Sequence, residues 1–336
     1  MSPSAGELGF DATRPFDVTT VDTTFAAPDG EALGCTIYQP AGGGSPTTGR
    51  IGIIDLHGGA WRHFDRSVDA HYDRALAACG AVVVAVDFRQ APNHRWPSSA
   101  ADANAAVRWV KANATELGVN AECVGLLGGS SGGHLALVTA VAPHRADLVT
   151  TEPLPWNLVA MPGPTAVDAT VDATVDAAVD AAVGFAIALW PVAAPDWRYR
   201  YLAEVLADPG FSTAEPMFFP ERLRSAQEQF FVDEDTMASA SVFTMLDQRI
   251  TDEGTALESL DPLPPLFVAH PELDCNVTVE MSEALASAWQ GSGGDVHLTV
   301  FPGVGHSFAN FPTPEAEPCI DAMIAFVDRV TRTIVS

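Results

Sequence analysis

Lysine is almost absent from this sequence: Lys111 is the only one in 336 residues. Lysine and arginine together number 17 against 43 acidic residues, a formal net charge of −26. A chain this acidic lacks the clustered cations that grip phosphate, which argues against nucleic acid as a partner. The same deficit argues against docking on an anionic membrane surface. Long apolar runs are also missing. The longest, around 81–86 and 183–191, fall far short of the ~20 residues that cross a bilayer. Residues 1–16 have neither a basic start nor an apolar core, so no secretory signal is expected there. Cysteine is scarce and scattered (Cys35, Cys79, Cys123, Cys275, Cys319), an odd number with no CxxC pair. That pattern implies neither a disulfide framework nor a zinc site, and reduced thiols in the cytoplasm fit it best.

What is present reads as a large α/β protein. Hydrophobic residues make up 47%, enough for a sizeable core. The length suits two domains, or one α/β domain carrying an insertion. Residues 16–25 and 33–39 alternate around Pro28-Asp29-Gly30 and predict a β-hairpin. Short apolar runs at 51–56 and 81–86 predict buried strands, and 123–127, 183–189, 266–269 and 296–301 also read as strands. Helical spacing is expected over 66–79, 99–117, 130–141, 277–290 and 315–335. Strands alternating with helices imply a mostly parallel sheet covered on both sides. The last helix could edge a homodimer or simply cover the sheet.

The alternation fails between about 146 and 260. The expected division is therefore a main domain of 1–145 and 261–336 with an insertion, 146–260. The insertion would hold one core strand, about 183–190, and a cap. It contains a tetrapeptide repeat beginning at Val167, Val171, Val175 and Val179, readable as strand, helix or tolerated loop. It also holds 19 acidic residues against five basic ones, over half of the net charge. Such a field near a pocket mouth would disfavour anionic substrates.

Three motifs carry chemistry. Gly128-Gly129-Ser130-Ser131-Gly132-Gly133 fits Gly-x-Ser-x-Gly between a predicted strand and a predicted helix. Small flanks permit the tight turn that pushes Ser130 out as a nucleophile at a helix start. His57-Gly58-Gly59-Ala60-Trp61 follows the strand ending at Leu56. Its small residues let the N–H groups of Gly58, Gly59 and Ala60 converge with that of Ser131 as an oxyanion hole. His57 is expected to brace this loop, and Trp61 either to line the pocket or to sit in the core. Val304-Gly305-His306-Ser307-Phe308 follows a late strand, where a general base belongs. The chain order Ser, acid, His asks for an acid after the preceding strand: Asp274, with Glu272 as the fallback. Gly129, Trp190 and Phe308 are candidate pocket residues. No metal-ligand or cofactor motif accompanies them.

The combination resembles the hormone-sensitive-lipase-like branch of the α/β-hydrolase fold, and within it the bacterial carboxylesterases. Asp87-Phe-Arg-Gln-Ala-Pro-Asn-His-Arg-Trp-Pro97 is similar to that branch's Asp-Tyr-Arg-Leu-Ala-Pro-Glu-His-x-Phe-Pro segment, and Pro302-Gly303 with His306 to its C-terminal half. The resemblance implies Ser130, Asp274 and His306 as a triad acting on small-molecule esters. Departures from the family pattern are Gly129, where an acid is common, and Cys275 after Asp274. Gly-Gly-Ala in the oxyanion loop is closer to arylformamidase-like relatives and leaves an amidase as the alternative. A non-catalytic ligand receptor would be expected to lack the serine or the histidine.

Overall fold

The computed structural model describes residues 8–41, 46, 48–149, 179–213, 215, 218–251 and 261–334. Most of the tetrapeptide repeat lies outside these residues. The strands are β1 (Asp17–Ala26), β2 (Ala32–Ala41), β3 (Arg50–Leu56), β4 (Val82–Val86), β5 (Val119–Gly129), β6 (Phe185–Leu189), β7 (Leu266–Pro271) and β8 (Val296–Phe301). They form one sheet in the order β1-β2-β4-β3-β5-β6-β7-β8. The hairpin β1–β2 is antiparallel, and β2 meets β4 antiparallel. From β4 to β8 all neighbours are parallel.

The period-two pleat decides which side chain goes where. Ile51 and Ile53 of β3 enter one core, and Ile54 and Leu56 enter the other. In β4, Val83 and Ala85 face the first core, and Val82, Val84 and Val86 the second. One face is covered by α1 (Ala70–Ala78) and α10 (Glu317–Ile334). The other is covered by α2 (Ser98–Ala112), α4 (Ser131–Val141), α8 (Val242–Thr251) and α9 (Val279–Gly291). Burial on both faces explains why these strands read as continuous apolar runs. Between β6 and β7 come α5 (Pro195–Ala207), α6 (Pro220–Phe230), α7 (Glu234–Ser239) and α8. No helix among the described residues is long and apolar enough to cross a membrane.

Two helix boundaries differ from expectation by more than two residues. The helix expected from residue 66 starts at Ala70. Arg66 is held instead by Asp87, which accepts its backbone N–H at 2.9 Å and its guanidinium at 2.5 Å. The helix expected over 99–117 breaks at Asn113, whose side-chain amide donates to the Trp109 carbonyl at 2.8 Å. A four-residue helix, α3 (Ala114–Leu117), follows, ended by left-handed Gly118.

Three acids, one from β3 and two from the start of α1, are turned inward. Asp55, Asp69 and Asp73 are all fully buried on the α1 side, with Tyr72 also buried there. Neither carboxylate oxygen of Asp55 or Asp73 has a hydrogen-bond partner among the described residues. Asp69 accepts from the Asn310 amide at 2.6 Å. Burial pushes the Asp69 carboxyl up to about 7. Burial, with repulsion from neighbouring acids, raises Asp55 and Asp73 well above the usual carboxylate range. The folded chain therefore holds protons that the unfolded chain releases near pH ~4. The contribution of Asp69 to stability is present below that pH and is lost as pH rises through about 7. Asp69→Asn keeps the acceptor for Asn310 and removes the titration. Its urea midpoint, compared with wild type, should improve steadily across that window; a constant difference would contradict the assignment.

Candidate active site

Strand order reverses between β3 and β5: the chain leaves β3 towards β4 and returns on the other side. Ligands of open α/β sheets bind at the carboxyl ends of strands beside such a crevice. The ends of β3, β5, β7 and β8 carry the four segments singled out in the sequence.

Ser130 stands between β5 and α4 with φ 54° and ψ −114°, a strained backbone for a residue with a Cβ. Its N–H donates to the Leu189 carbonyl at 2.8 Å, and its carbonyl accepts from His134 at 3.1 Å and Val192 at 3.2 Å. Gly132 lets α4 come down on the end of β3: a Cβ there would lie 1.7 Å from the Leu56 carbonyl oxygen. Only glycine tolerates that approach.

His306 Nε2 lies 3.0 Å from Ser130 Oγ, and His306 Nδ1 lies 2.7 Å from Asp274 Oδ2. Asp274 Oδ1 accepts the N–H groups of Asn276 at 2.7 Å and Val277 at 2.9 Å. Three donors thus hold the carboxylate, with Oδ2 turned to His306. With Nδ1–H donating to Asp274, Nε2 presents its lone pair to the Ser130 hydroxyl. Glu272, the alternative acid, points elsewhere. Its Oε2 accepts the Gly303 N–H at 2.8 Å, so it braces the turn after β8.

The loop after β3 is unusually constrained. Gly59 has φ +116°, and a Cβ on it would meet the His63 carbonyl oxygen at 1.9 Å. Ala60, Trp61 and Phe64 also have positive φ. His63 and Arg62 donate to the Gly59 carbonyl at 2.9 and 3.1 Å, closing a tight turn. Among the described residues no backbone carbonyl accepts from Gly58, Gly59 or Ala60. Ser131 is the first residue of α4, where N–H groups have no acceptor in their own helix. Gly58 sits over the nucleophile, with its Cβ direction 3.6 Å from Ser130 Cβ. His57 is buried, stacks on Phe88 at 4.3 Å and contacts the Gly58 carbonyl at 2.7 Å. Burial lowers its pKa, which keeps it neutral as a brace.

The candidate pocket residues separate. Trp190 and Phe308 adjoin the histidine, with ring centroids 6.1 Å from Trp190 to His306 and 5.3 Å from Trp190 to Phe308. Gly129 lies against the Trp190 indole: a Cβ would be 3.4 Å from its Nε1. Trp61 does not line the pocket. It is 0% exposed, stacks on Phe230 at 5.2 Å and donates from Nε1 to His134 Nδ1 at 3.3 Å. The Phe230 and Phe231 rings, from the end of α6, fill the space beside it and make it a core residue. His134 completes this contact through Nε2 and the Ala240 carbonyl at 2.8 Å, and burial lowers its pKa to about 4.

One residue at the site was not singled out in the sequence. Glu215, between α5 and α6, accepts backbone N–H groups from both His306 and Cys275. It belongs to no motif, and its partners are main-chain groups, so residue type alone carries no signal for it.

This fold and arrangement define a class, the α/β hydrolases with a serine at the strand–helix elbow. The chain belongs to the alpha/beta hydrolase fold family, whose pattern matches residues 53–310. It is 26% identical over 292 residues to Esterase LipC of Mycobacterium tuberculosis, covering 86% of this chain. The match spans 60% of that relative, so the chain corresponds to under two thirds of its length. Carboxylesterase NlhH of the same organism is 38% identical over 113 residues, 33% of this chain and 34% of its own. Among solved structures, the Pyrobaculum calidifontis esterase superposes with a TM-score of 0.67 at 22% identity, covering 97% of this chain and 88% of that one. That likeness is one of fold.

Trp61→Ala should behave as a core truncation, lowering stability in urea by about 3–5 kcal/mol. A pocket residue would instead change KM for small esters at nearly unaltered stability.

Proposed function

We propose that this chain is a serine carboxylesterase that hydrolyses short- to medium-chain esters of small molecules. The observation that carries the reading is the unbroken hydrogen-bonded chain Ser130–His306–Asp274 at the carboxyl ends of the sheet. Esterase names on several relatives support the ester over other acyl substrates.

In this reading His306 Nε2 takes the Ser130 proton as Oγ attacks the ester carbonyl. Asp274 holds the imidazole in the required tautomer and stabilises its cation. The N–H groups of Gly59, Ala60 and Ser131, with Gly58 adjacent, receive the oxyanion. Losing one such donor typically raises the barrier by ~3 kcal/mol, about 10²-fold in rate. The imidazolium then protonates the leaving alkoxide, and the alcohol departs. Water enters, loses its proton to His306 and attacks the acyl-enzyme, and Ser130 leaves with that proton. Phe308, half-buried near His306, is the candidate wall beside the nucleophile, and Trp190, itself buried, backs Phe308 and Gly129 from the core.

Ser130→Ala should abolish hydrolysis of p-nitrophenyl butyrate while the far-UV circular dichroism stays native. Retained turnover would overturn the reading. Asp274→Asn should lower kcat by about 10³–10⁴-fold, because the histidine loses its tautomer. Glu272→Gln should stay within about threefold of wild type, since only a turn contact is altered. Equal losses in the two variants would contradict the choice of acid. A matched anilide should turn over far more slowly than the ester; the reverse order would make the amidase the better reading.

A further inference from the structure

We propose that Glu215, supplied by the segment between α5 and α6, is a positioning residue that fixes the general base and its acid relative to each other. The proposal rests on the reading of Ser130, His306 and Asp274 as the catalytic chain.

Asp274 and His306 lie on separate loops, after β7 and after β8. A side-chain hydrogen bond of 2.7 Å joins the two residues, and the loops also meet upstream of them, where the Leu273 N–H donates to the Val304 carbonyl at 2.9 Å and the Gly303 N–H to Glu272 Oε2 at 2.8 Å. Loops that drift by an ångström would lengthen the Asp274–His306 bond and move Nε2 off the serine. Glu215 opposes that drift. Its Oε1 accepts the N–H of His306 itself at 2.7 Å, and its Oε2 accepts the N–H of Cys275, directly after the acid, at 2.8 Å. One carboxylate therefore ties the two loops together at the residues that matter. Both contacts are charge-assisted, the stronger kind of hydrogen bond. Gly305 leaves room for the side chain: a Cβ there would lie 3.2 Å from Glu215 Oε1.

The contact is part of a broader grip on the acid loop. The Glu215 N–H donates to Thr213 Oγ1 at 3.0 Å, and that hydroxyl lies 2.9 Å from Cys275 Sγ. From α5, the Tyr201 hydroxyl donates to the Cys275 carbonyl at 2.9 Å, and Arg198 Nε donates to the Asn276 carbonyl at 3.1 Å. The stretch between β6 and β7 thus holds residues 275–276 by both carbonyls and by an N–H. Among the described residues of that stretch, Glu215 alone is hydrogen-bonded to both the histidine and the acid loop. A carboxylate that merely repelled anionic substrates would not need both oxygens on backbone donors.

Glu215→Ala removes both acceptors. Glu215→Gln keeps the shape but offers one acceptor oxygen and turns an NH2 against the other N–H. Both variants should be measured for kcat and KM on p-nitrophenyl butyrate, for p-nitrophenol release by diethyl p-nitrophenyl phosphate, and for thermal midpoint. Misplacement of a catalytic group by about 1 Å can cost about 10²-fold, so kcat should fall by about tenfold to 100-fold with KM within about threefold. Phosphorylation of the serine should slow by a similar factor, because it needs the same base. The midpoint of the isosteric Gln variant should stay within a few degrees of wild type. Either variant keeping more than half of wild-type kcat would overturn the proposal. So would a loss confined to KM, or a loss of kcat that in the Gln variant follows a loss of fold. Ser130→Ala separates the two claims: if it stays active, the triad reading fails regardless of Glu215. If it is dead while the Glu215 variants are fully active, only the positioning role fails.

Discussion

The rest of the site depends on one backbone contact, the seating of α4 against the end of β3. With no side chain at Gly132, the helix comes within a distance of the Leu56 carbonyl that any Cβ would block. That approach sets the sharp turn at the end of β5 and leaves Ser130 at φ 54°. It also brings the serine beside the constrained loop after β3, so nucleophile and unpaired N–H groups share one small volume. The strain of the turn is offset by the surrounding ladder. Ser130 is hydrogen-bonded through its N–H to β6 and through its carbonyl to both α4 and the segment after β6. A strained residue persists only when its neighbours over-determine it.

A second constraint acts from the other side of the crevice. Acid and base come from loops after β7 and β8; the acid accepts backbone N–H groups, and the base donates its own N–H to a carboxylate. Asp274 takes two N–H groups near the start of α9, and Glu272 takes one after β8. The stretch between β6 and β7 contributes its own carboxylate at Glu215. An acidic chain with one lysine has few cations to spare for orienting its acids. Here the main chain supplies the donors instead.

The parts of this design written locally were legible in the sequence. The Gly-x-Ser-x-Gly run needs small residues for its turn, so Ser130 announced itself, and the strand-by-strand order pointed to Asp274 and His306. The buried parallel strands were equally plain, because burial on two faces leaves an unbroken apolar run. Trp61 was not decidable, since an indole suits a pocket wall and a core alike; the stacking of Phe230 from a distant helix settled its place. The start of α1 was missed because Asp87, far along the chain, captures Arg66. Glu215 left no trace at all. Its partners are backbone N–H groups 60 and 91 residues away, and such groups are the same in every residue.

The central claim is that an ester's acyl group passes through Ser130. Rapid quenching of the reaction with p-nitrophenyl butyrate in acid, followed by peptide mass mapping, tests it directly. The account predicts a butyryl adduct on the peptide containing Ser130 that forms within the first turnover and decays as substrate is exhausted. Turnover with no adduct, or an adduct on another residue, would contradict it.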